Sequence, residues 1–355
     1  MNIFFDTKQL YFIPQYLPVY RELEKRGHKV TLAIYPSTHD NIIEDIAKKE
    51  NLNIIWVKNN EESLNAYKEG KADWVFFGNR CKFLDELHSF AKSIQLGHGV
   101  GPKTSYYSKS STNMTVRFVE GAYRCKRLYE LFPEGNFFDV GFSKLDPIFN
   151  KEPLPFDIKS LGLDPNKKTI VYAPTFYPSS IEKFHKNWPE HFENFNILIK
   201  PHYFSISKKK LRKQKKLLEH WGSFPNTYLA KTEDYSLVPF LALGDILLSD
   251  ASSAIIEFAA LNKPTVLCKF LKVRLTYRGP FRYRFERRMD EDYKLYSEIA
   301  EPVEHYKELK EVVEQHLSEP GLKEQQRLQL TEKLVGTIDG QVSVRIANYL
   351  ENYKK

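Results

Sequence analysis

The stretch GDILLSDASSAIIEFAALNKPTVL, residues 244–267, reads as strand, small-residue turn, helix and second strand with almost no spacer. Ile246 to Ser249 form a short apolar run that ends at Asp250. Ala254 to Leu261 carry apolar residues at helical spacing, and Pro264 stops that helix before a strand resumes at Thr265 to Cys268. The turn between them is Asp250-Ala251-Ser252-Ser253. Its small residues let a phosphate approach the first unpaired backbone N–H groups of the helix, and the serine hydroxyls add donors to the same oxygens. A plainer reading stands beside this one, because Ser252 or Ser253 can simply cap a buried βα unit.

Outward from this stretch the same alternation recurs. Upstream in the second half lie apolar runs at Thr169 to Ala173, Phe195 to Lys200 and Tyr228 to Ala230. In the first half, Asn2 to Phe5 reads as a strand, Tyr16 to Lys25 as a helix, Val30 to Ile34 as a strand and Asn41 to Lys49 as a helix. Strand candidates follow at Ile54 to Val57, Trp74 to Phe77, Val116 to Val119 and Phe137 to Val140. Most are separated by enough chain for a crossover helix, which predicts parallel sheets covered on both faces. Lys151 to Lys168, with Pro153, Pro155, Gly162 and Pro165, is the best linker. Beyond Cys268 the chain turns helical at Tyr306 to Leu317, Leu322 to Leu334 and Val342 to Tyr353. The expectation is an α/β protein of two Rossmann-like domains, GT-B-type: an acceptor-side domain over 1–150, and a nucleotide-donor domain with a helical C-terminal tail over 151–355.

Composition narrows the class. The 355 residues suffice for two domains with separate cores. An apolar content of 42%, with 14% aromatic, excludes wholesale disorder. Cys81, Cys125 and Cys268 are the only cysteines, an odd number without metal-ligand spacing, so neither a disulfide framework nor a structural zinc site is expected. No carboxylate cluster suggests a required metal, and no cofactor is expected. The Gly-x-Gly-x-x-Gly fingerprint is absent after both candidate first strands, which argues against a nicotinamide or flavin enzyme. The first twenty residues show no secretory h-region, and no stretch reaches the roughly 18 uncharged apolar residues of a spanning helix. A reducing cytoplasm is the expected location. The net charge of +8 points to an anionic partner.

Four further motifs sit where an α/β fold places ligands, at strand exits. LGHGVGPK (96–103) surrounds His98 with three glycines and adds Lys103; the alternative is a surface turn with an exposed histidine. NILIKPH (196–202) ends an apolar strand in His202, a position where histidines are often structural. IVYAPTF (170–176) ends in Pro174 and Thr175, and VGFSKLDPI (140–148) places Lys144 and Asp146 after a strand; ordinary strand exits would look the same.

Taken in order, LGHGVGPK, VGFSKLDPI, IVYAPTF, IKPH and SDASS…NKP resemble the CDP-glycerol glycerophosphotransferase family of teichoic-acid primases and polymerases over roughly residues 90 to 270. Two positions depart from its pattern: Lys144-Leu145 stands where an arginine precedes the aspartate, and Ala251 where a tyrosine follows one. The polyol on the donor, glycerol, ribitol or another, is therefore left open. The resemblance implies a transferase that moves a polyol phosphate from a CDP-activated donor to a hydroxyl of a lipid-linked or polymeric cell-envelope acceptor, with CMP leaving. It implies His98 as the base for the acceptor proton and His202 as the stabiliser of the transferring or leaving phosphate. Lys103, Lys144, Asp146, Pro174, Thr175, Asp250, Ser252 and Ser253 become donor-binding candidates. The lack of a large extra domain is what a priming or short-chain transferase would show.

Two basic regions suit an anionic membrane surface. SKKKLRKQKK (207–216) carries seven cations on a predicted helix, and KFLKVRLTYRGPFRYRFERR (269–288) interleaves Arg282, Arg284, Arg287 and Arg288 with aromatic rings. A peripheral position on the inner face of the membrane follows as an expectation; a solvated helix face and an irregular basic loop are the plainer alternatives. The rival readings are a GT-B-type nucleotide-sugar glycosyltransferase or UDP-sugar epimerase and, from another class, a single-stranded nucleic-acid binder. Nucleic acid is not the expected partner, because no recognisable binding module is present.

Overall fold

A computed structural model describes residues 1–36, 40–97, 99–101, 104–107, 113–273, 277, 279–281, 283 and 291–353. The chain forms two compact units, each built on a parallel sheet.

The first unit comprises Met1–Gly99, Tyr107–Glu152 and Glu332–Lys355. Its strands are β1 (Asn2–Thr7), β2 (Lys29–Ile34), β3 (Ile54–Trp56), β4 (Trp74–Phe77), β5 (Lys92–Gln95), β6 (Val116–Val119) and β7 (Phe137–Asp139), ordered β3-β2-β1-β4-β5-β6-β7. Side chains of β4 and β6 are buried without interruption, because helices cover both faces and no alternation is needed. The sequence reading did not assign the helix Asn60–Glu69, whose core-facing residues are few. Its start is nonetheless well specified, since the Asn59 carboxamide oxygen accepts from the Glu62 amide at 2.9 Å.

The second unit comprises Val100–Tyr106 and Pro153–Thr331. Strands β8 (Thr169–Tyr172), β9 (Asn196–Ile199), β10 (Thr227–Leu229), β11 (Ile246–Ser249), β12 (Thr265–Cys268) and β13 (Glu301–Val303) are ordered β10-β9-β8-β11-β12-β13, all parallel. On one face Tyr172, Phe184, Trp188 and Trp221 pack into an aromatic core with ring centroids 4.7 to 6.3 Å apart. Strand β13 escaped the sequence reading because Glu-Pro-Val has no strand pattern. It lies at the sheet edge, where a proline is tolerated.

The unit boundary falls at Glu152, beside the expected 150, but the tail does not stay with the second half. From Glu332 the chain belongs to the first unit. The reason is the apolar face of the helix Val342–Glu351, whose Val342, Ile346, Ala347 and Leu350 are buried. This helix lies against the helix Ile13–Lys25, and Arg26 pairs with Glu351 at 2.7 Å. Tyr353 then meets Trp74 edge to face at 5.0 Å. Among the described residues no helix is long and apolar enough to cross a membrane.

Candidate active site

In the second sheet the strand order reverses between β8 and β11, the place where an open α/β sheet leaves a crevice at its carboxyl edge. Three of the sequence motifs end there: Pro174-Thr175 after β8, Pro201-His202 after β9, and Asp250 to Ser253 after β11.

Asp250 joins the two strands flanking that reversal. It is fully buried, and its Oδ1 accepts the Thr175 amide at 2.7 Å. Its Oδ2 accepts from the Ser180 amide at 2.9 Å, the Ser180 hydroxyl at 3.0 Å and the Ser179 hydroxyl at 3.4 Å. Burial pushes this carboxyl up to about 6, against the lowering effect of those hydrogen bonds. Asp250, a donor-binding candidate, ties down the segment 174–180. Its oxygens are occupied by protein donors, and a carboxylate would repel a diphosphate.

His202 is half-buried between the rings of Phe176 and Phe204, at centroid distances of 4.7 and 4.9 Å. Its amide donates to the Pro174 carbonyl at 3.1 Å. Its Nδ1 accepts the Phe204 amide at 3.1 Å, so the side chain caps the short helix Tyr203–Ser207. A neutral ring making that bond carries its hydrogen on Nε2. Nε2 is thus the donor side of the ring, and the role of helix cap belongs to Nδ1.

Ser252 and Ser253 are both half-buried and differ in what they offer. The Ser252 hydroxyl oxygen accepts the Ala254 amide at 3.3 Å, which leaves its hydrogen to give. Ser253 donates to Glu257 Oε1 at 3.0 Å, so its hydrogen is already committed. A side chain at Gly101 would meet the Tyr106 ring at 3.5 Å and the Ser253 Cβ at 3.7 Å, so the end of the glycine-rich motif packs beside this turn within the second unit.

Lys144 and Asp146 belong to the first unit. Lys144 is half-buried on the 3-10 turn Ser143–Leu145. Asp146 is only 3% exposed; its Oδ2 accepts the Ser343 amide and hydroxyl, each at 2.7 Å, and its Oδ1 the Val342 amide at 3.3 Å. Asp146, a donor-binding candidate, thus accepts from the first turn of the C-terminal helix Val342–Glu351, its carboxylate opposing the unpaired amides there. His98, Lys103, Arg282, Arg284, Arg287 and Arg288 lie outside the described residues. Among the described residues no group of three or more His, Cys, Asp or Glu side chains could hold a metal ion.

The sequence reading missed Ser179, Ser180 and Glu257. Glu257 had a signal, as the lone charge in the apolar helix Ala254–Ala259, where it is fully buried. The serines had none, because their role is defined by an aspartate about seventy residues away.

This architecture, two Rossmann-like units with a C-terminal helical region, is the GT-B-type fold. The chain is similar to the solved wall teichoic acid polymerase TagF at 14% identity, with a TM-score of 0.64 over 99% of this chain and 88% of that one. It is similar as well to the UDP-GlcNAc 2-epimerase from Neisseria meningitidis solved with UDP-GlcNAc, at 14% identity and a TM-score of 0.62 over 99% and 100% of the two chains. At these identities the likeness is one of fold. The class narrows at the sequence level: residues 102–352 match the family of CDP-glycerol:poly(glycerophosphate) glycerophosphotransferases, and the chain belongs to that family. A curated relative, the teichoic acid glycerol-phosphate primase of Bacillus subtilis (strain 168), is 26% identical over 213 residues, 53% of each sequence. The chain thus spans about half the length of that relative in the matched region.

Proposed function

We propose that the protein transfers glycerol phosphate, or a related polyol phosphate, from a CDP-activated donor to a hydroxyl of a lipid-linked or polymeric acceptor, with CMP as the leaving group. The observation that carries this reading is the convergence of Thr175, His202 and Ser252 at the strand reversal of the second sheet, in a chain of this family. The acceptor oxygen attacks the β-phosphorus and the bond from that phosphorus to the bridging oxygen breaks, leaving the electron pair on CMP. Such a transfer needs positioning and charge neutralisation more than covalent chemistry. His202, with its hydrogen on Nε2, gives that hydrogen bond to a non-bridging or leaving oxygen, and the Ser252 hydroxyl binds a second oxygen of the diphosphate. His98 takes the acceptor proton, and Lys103 and Lys144 supply positive charge. Asp146 and Asp250 act on the fold around the donor rather than on the donor.

The lipid-linked acceptor brings the protein to an anionic membrane surface. In support, Lys209, Lys210, Arg212, Lys213, Lys215 and Lys216 are exposed along the helix Arg212–Trp221 and the turn before it. Phe281 and Tyr283 in the second basic region are each 44% exposed. Cations for lipid phosphates and rings for the interface are the two components such docking uses.

Nucleotide release tests the reading. With CDP-glycerol and a lipid-linked acceptor analogue, CMP should accumulate in step with acceptor consumed. Release of UDP from UDP-sugars, or epimerisation of UDP-GlcNAc with no CMP from CDP-glycerol, would select instead the chemistry of the epimerases that share the fold.

A further inference from the structure

The link between Asp250 and His202 runs through a single segment. Asp250 holds Thr175 at the start of residues 174–180, and Ser179 and Ser180 at the end. The Tyr172 hydroxyl, 2.8 Å from the Ser180 hydroxyl, joins the same buried network. Between those anchors the segment supplies the Pro174 carbonyl that receives the His202 amide, and the Phe176 ring against the His202 imidazole. The Phe176 carbonyl in turn accepts from Gln214 at 3.1 Å. The Pro174 carbonyl and the Phe176 ring against His202 thus belong to a segment that Asp250 anchors at both ends, across the strand reversal.

We propose that Asp250 is a positioning residue whose carboxylate clamps residues 174–180, and that the charge on it sets how firmly that segment holds His202. The proposal rests on the assignment of the donor to this edge of the sheet and adds its regulation by proton concentration.

The chemistry gives the direction. The carboxylate accepts from four donors, but burial costs its ionised form more than those bonds return, so an opening of the segment that wets the carboxyl is easier when Asp250 is ionised. Burial raises Asp250 to about 6, so the change falls in a mildly acidic range and not near the usual carboxylate value. The titratable groups that face it are Tyr172 on β8, Cys268 on β12 and Tyr293 in the segment Glu291–Leu295. Each of these is itself pushed up by burial and stays neutral near pH 6, so none titrates beside Asp250 in that window.

Hydrogen exchange on the full-length chain, corrected for intrinsic exchange, reads the clamp directly. In the wild type, protection of peptides covering 174–182 should rise by about tenfold from roughly pH 7.5 to roughly pH 5, because the closed segment holds the Asp250 proton more tightly than the opened one. Asp250→Asn should show the same protection at both values, with no acid limb. Ser180→Ala, which leaves the carboxylate in place, should lower protection at both values while keeping the pH dependence, and keeps the test decisive should the Asn variant fold poorly. Binding of CDP-glycerol by calorimetry should strengthen between those two pH values as acid is added in the wild type and lack that limb in Asp250→Asn. Unchanged protection in both variants, or wild-type protection independent of pH, overturns the clamp. Altered protection with no CDP-glycerol binding at any pH would leave the clamp standing and remove the donor assignment instead.

Discussion

His202 caps a helix with Nδ1 and has its hydrogen on Nε2, so one residue serves both folding and chemistry, and the two roles separate in magnitude. Replacing it by alanine should lower turnover by about 10²-fold or more, the range for a lost charge stabiliser. The same change should reduce stability by only about 1 kcal/mol, the ordinary value of a cap. Turnover near wild type in a folded His202→Ala protein would remove it from the mechanism. Ser252→Ala should weaken CDP-glycerol binding by about 1–3 kcal/mol through the loss of a bond to a charged group, whereas Ser253→Ala should do less, because its hydrogen already goes to Glu257. Equal losses in calorimetry would contradict that ranking. Asp250 adds a stability effect of definite sign. Its carboxyl lies at about 6 in the folded protein against an ordinary 3.8, so the folded state holds the proton more tightly. Its contribution is present below about pH 4 and lost as pH rises through about 6. The melting-temperature advantage of wild type over Asp250→Asn should shrink across that window, and a constant difference would contradict the shift. These residues were named from the sequence because strand exits are legible in it; their roles were not, because a buried carboxylate and an exposed one are spelled alike.

At the scale of elements, the helix Val342–Glu351 shows what sequence pattern leaves undetermined. Its apolar periodicity predicted a helix at Val342 to Tyr353, and the structure has one within two residues of those limits. Its partner could not be read, because an apolar stripe specifies burial and not the surface that provides it. Asp146 makes the choice testable. Alanine there removes three hydrogen bonds from the helix start and should destabilise the first unit by about 2–4 kcal/mol, with CDP-glycerol affinity in the folded fraction unchanged. A selective loss of donor affinity with normal melting would restore it to the donor site. The short strands tell the same story. Four-residue runs such as Ile246–Ser249 and Thr265–Cys268 were found at their observed limits because three of four residues in each are apolar, while Glu301–Val303 pairs at an edge that pattern does not mark. For the basic-aromatic element, replacing Arg282, Arg284, Arg287 and Arg288 by Gln should reduce sedimentation with anionic vesicles, since each cation contributes roughly 1 kcal/mol near such a surface. Undiminished binding would move the docking surface elsewhere, with the exposed cations of the helix Arg212–Trp221 as the next to test.

For the molecule as a whole, the fold class was legible because strand and helix alternate through both halves, and two parallel sheets leave few other architectures. The chemistry was legible only through the order of five weak motifs, each of which an ordinary βα turn could have produced. What joins them physically is the strand reversal in the second sheet, where three motifs meet and a fourth, the glycine-rich turn, packs against Ser253 through Gly101. Neither a GT-B-type fold nor a nucleotide-sized edge distinguishes a glycerophosphotransferase from an epimerase, because unrelated reactions share this architecture. The reaction itself distinguishes them. Purified protein given CDP-glycerol and a lipid-linked acceptor analogue should release CMP and lengthen the acceptor by glycerol phosphate in equal amounts, with both signals reduced about 10²-fold in His202→Ala. Absence of CMP release from CDP-glycerol and CDP-ribitol alike, with turnover of a UDP-sugar in its place, would contradict the account.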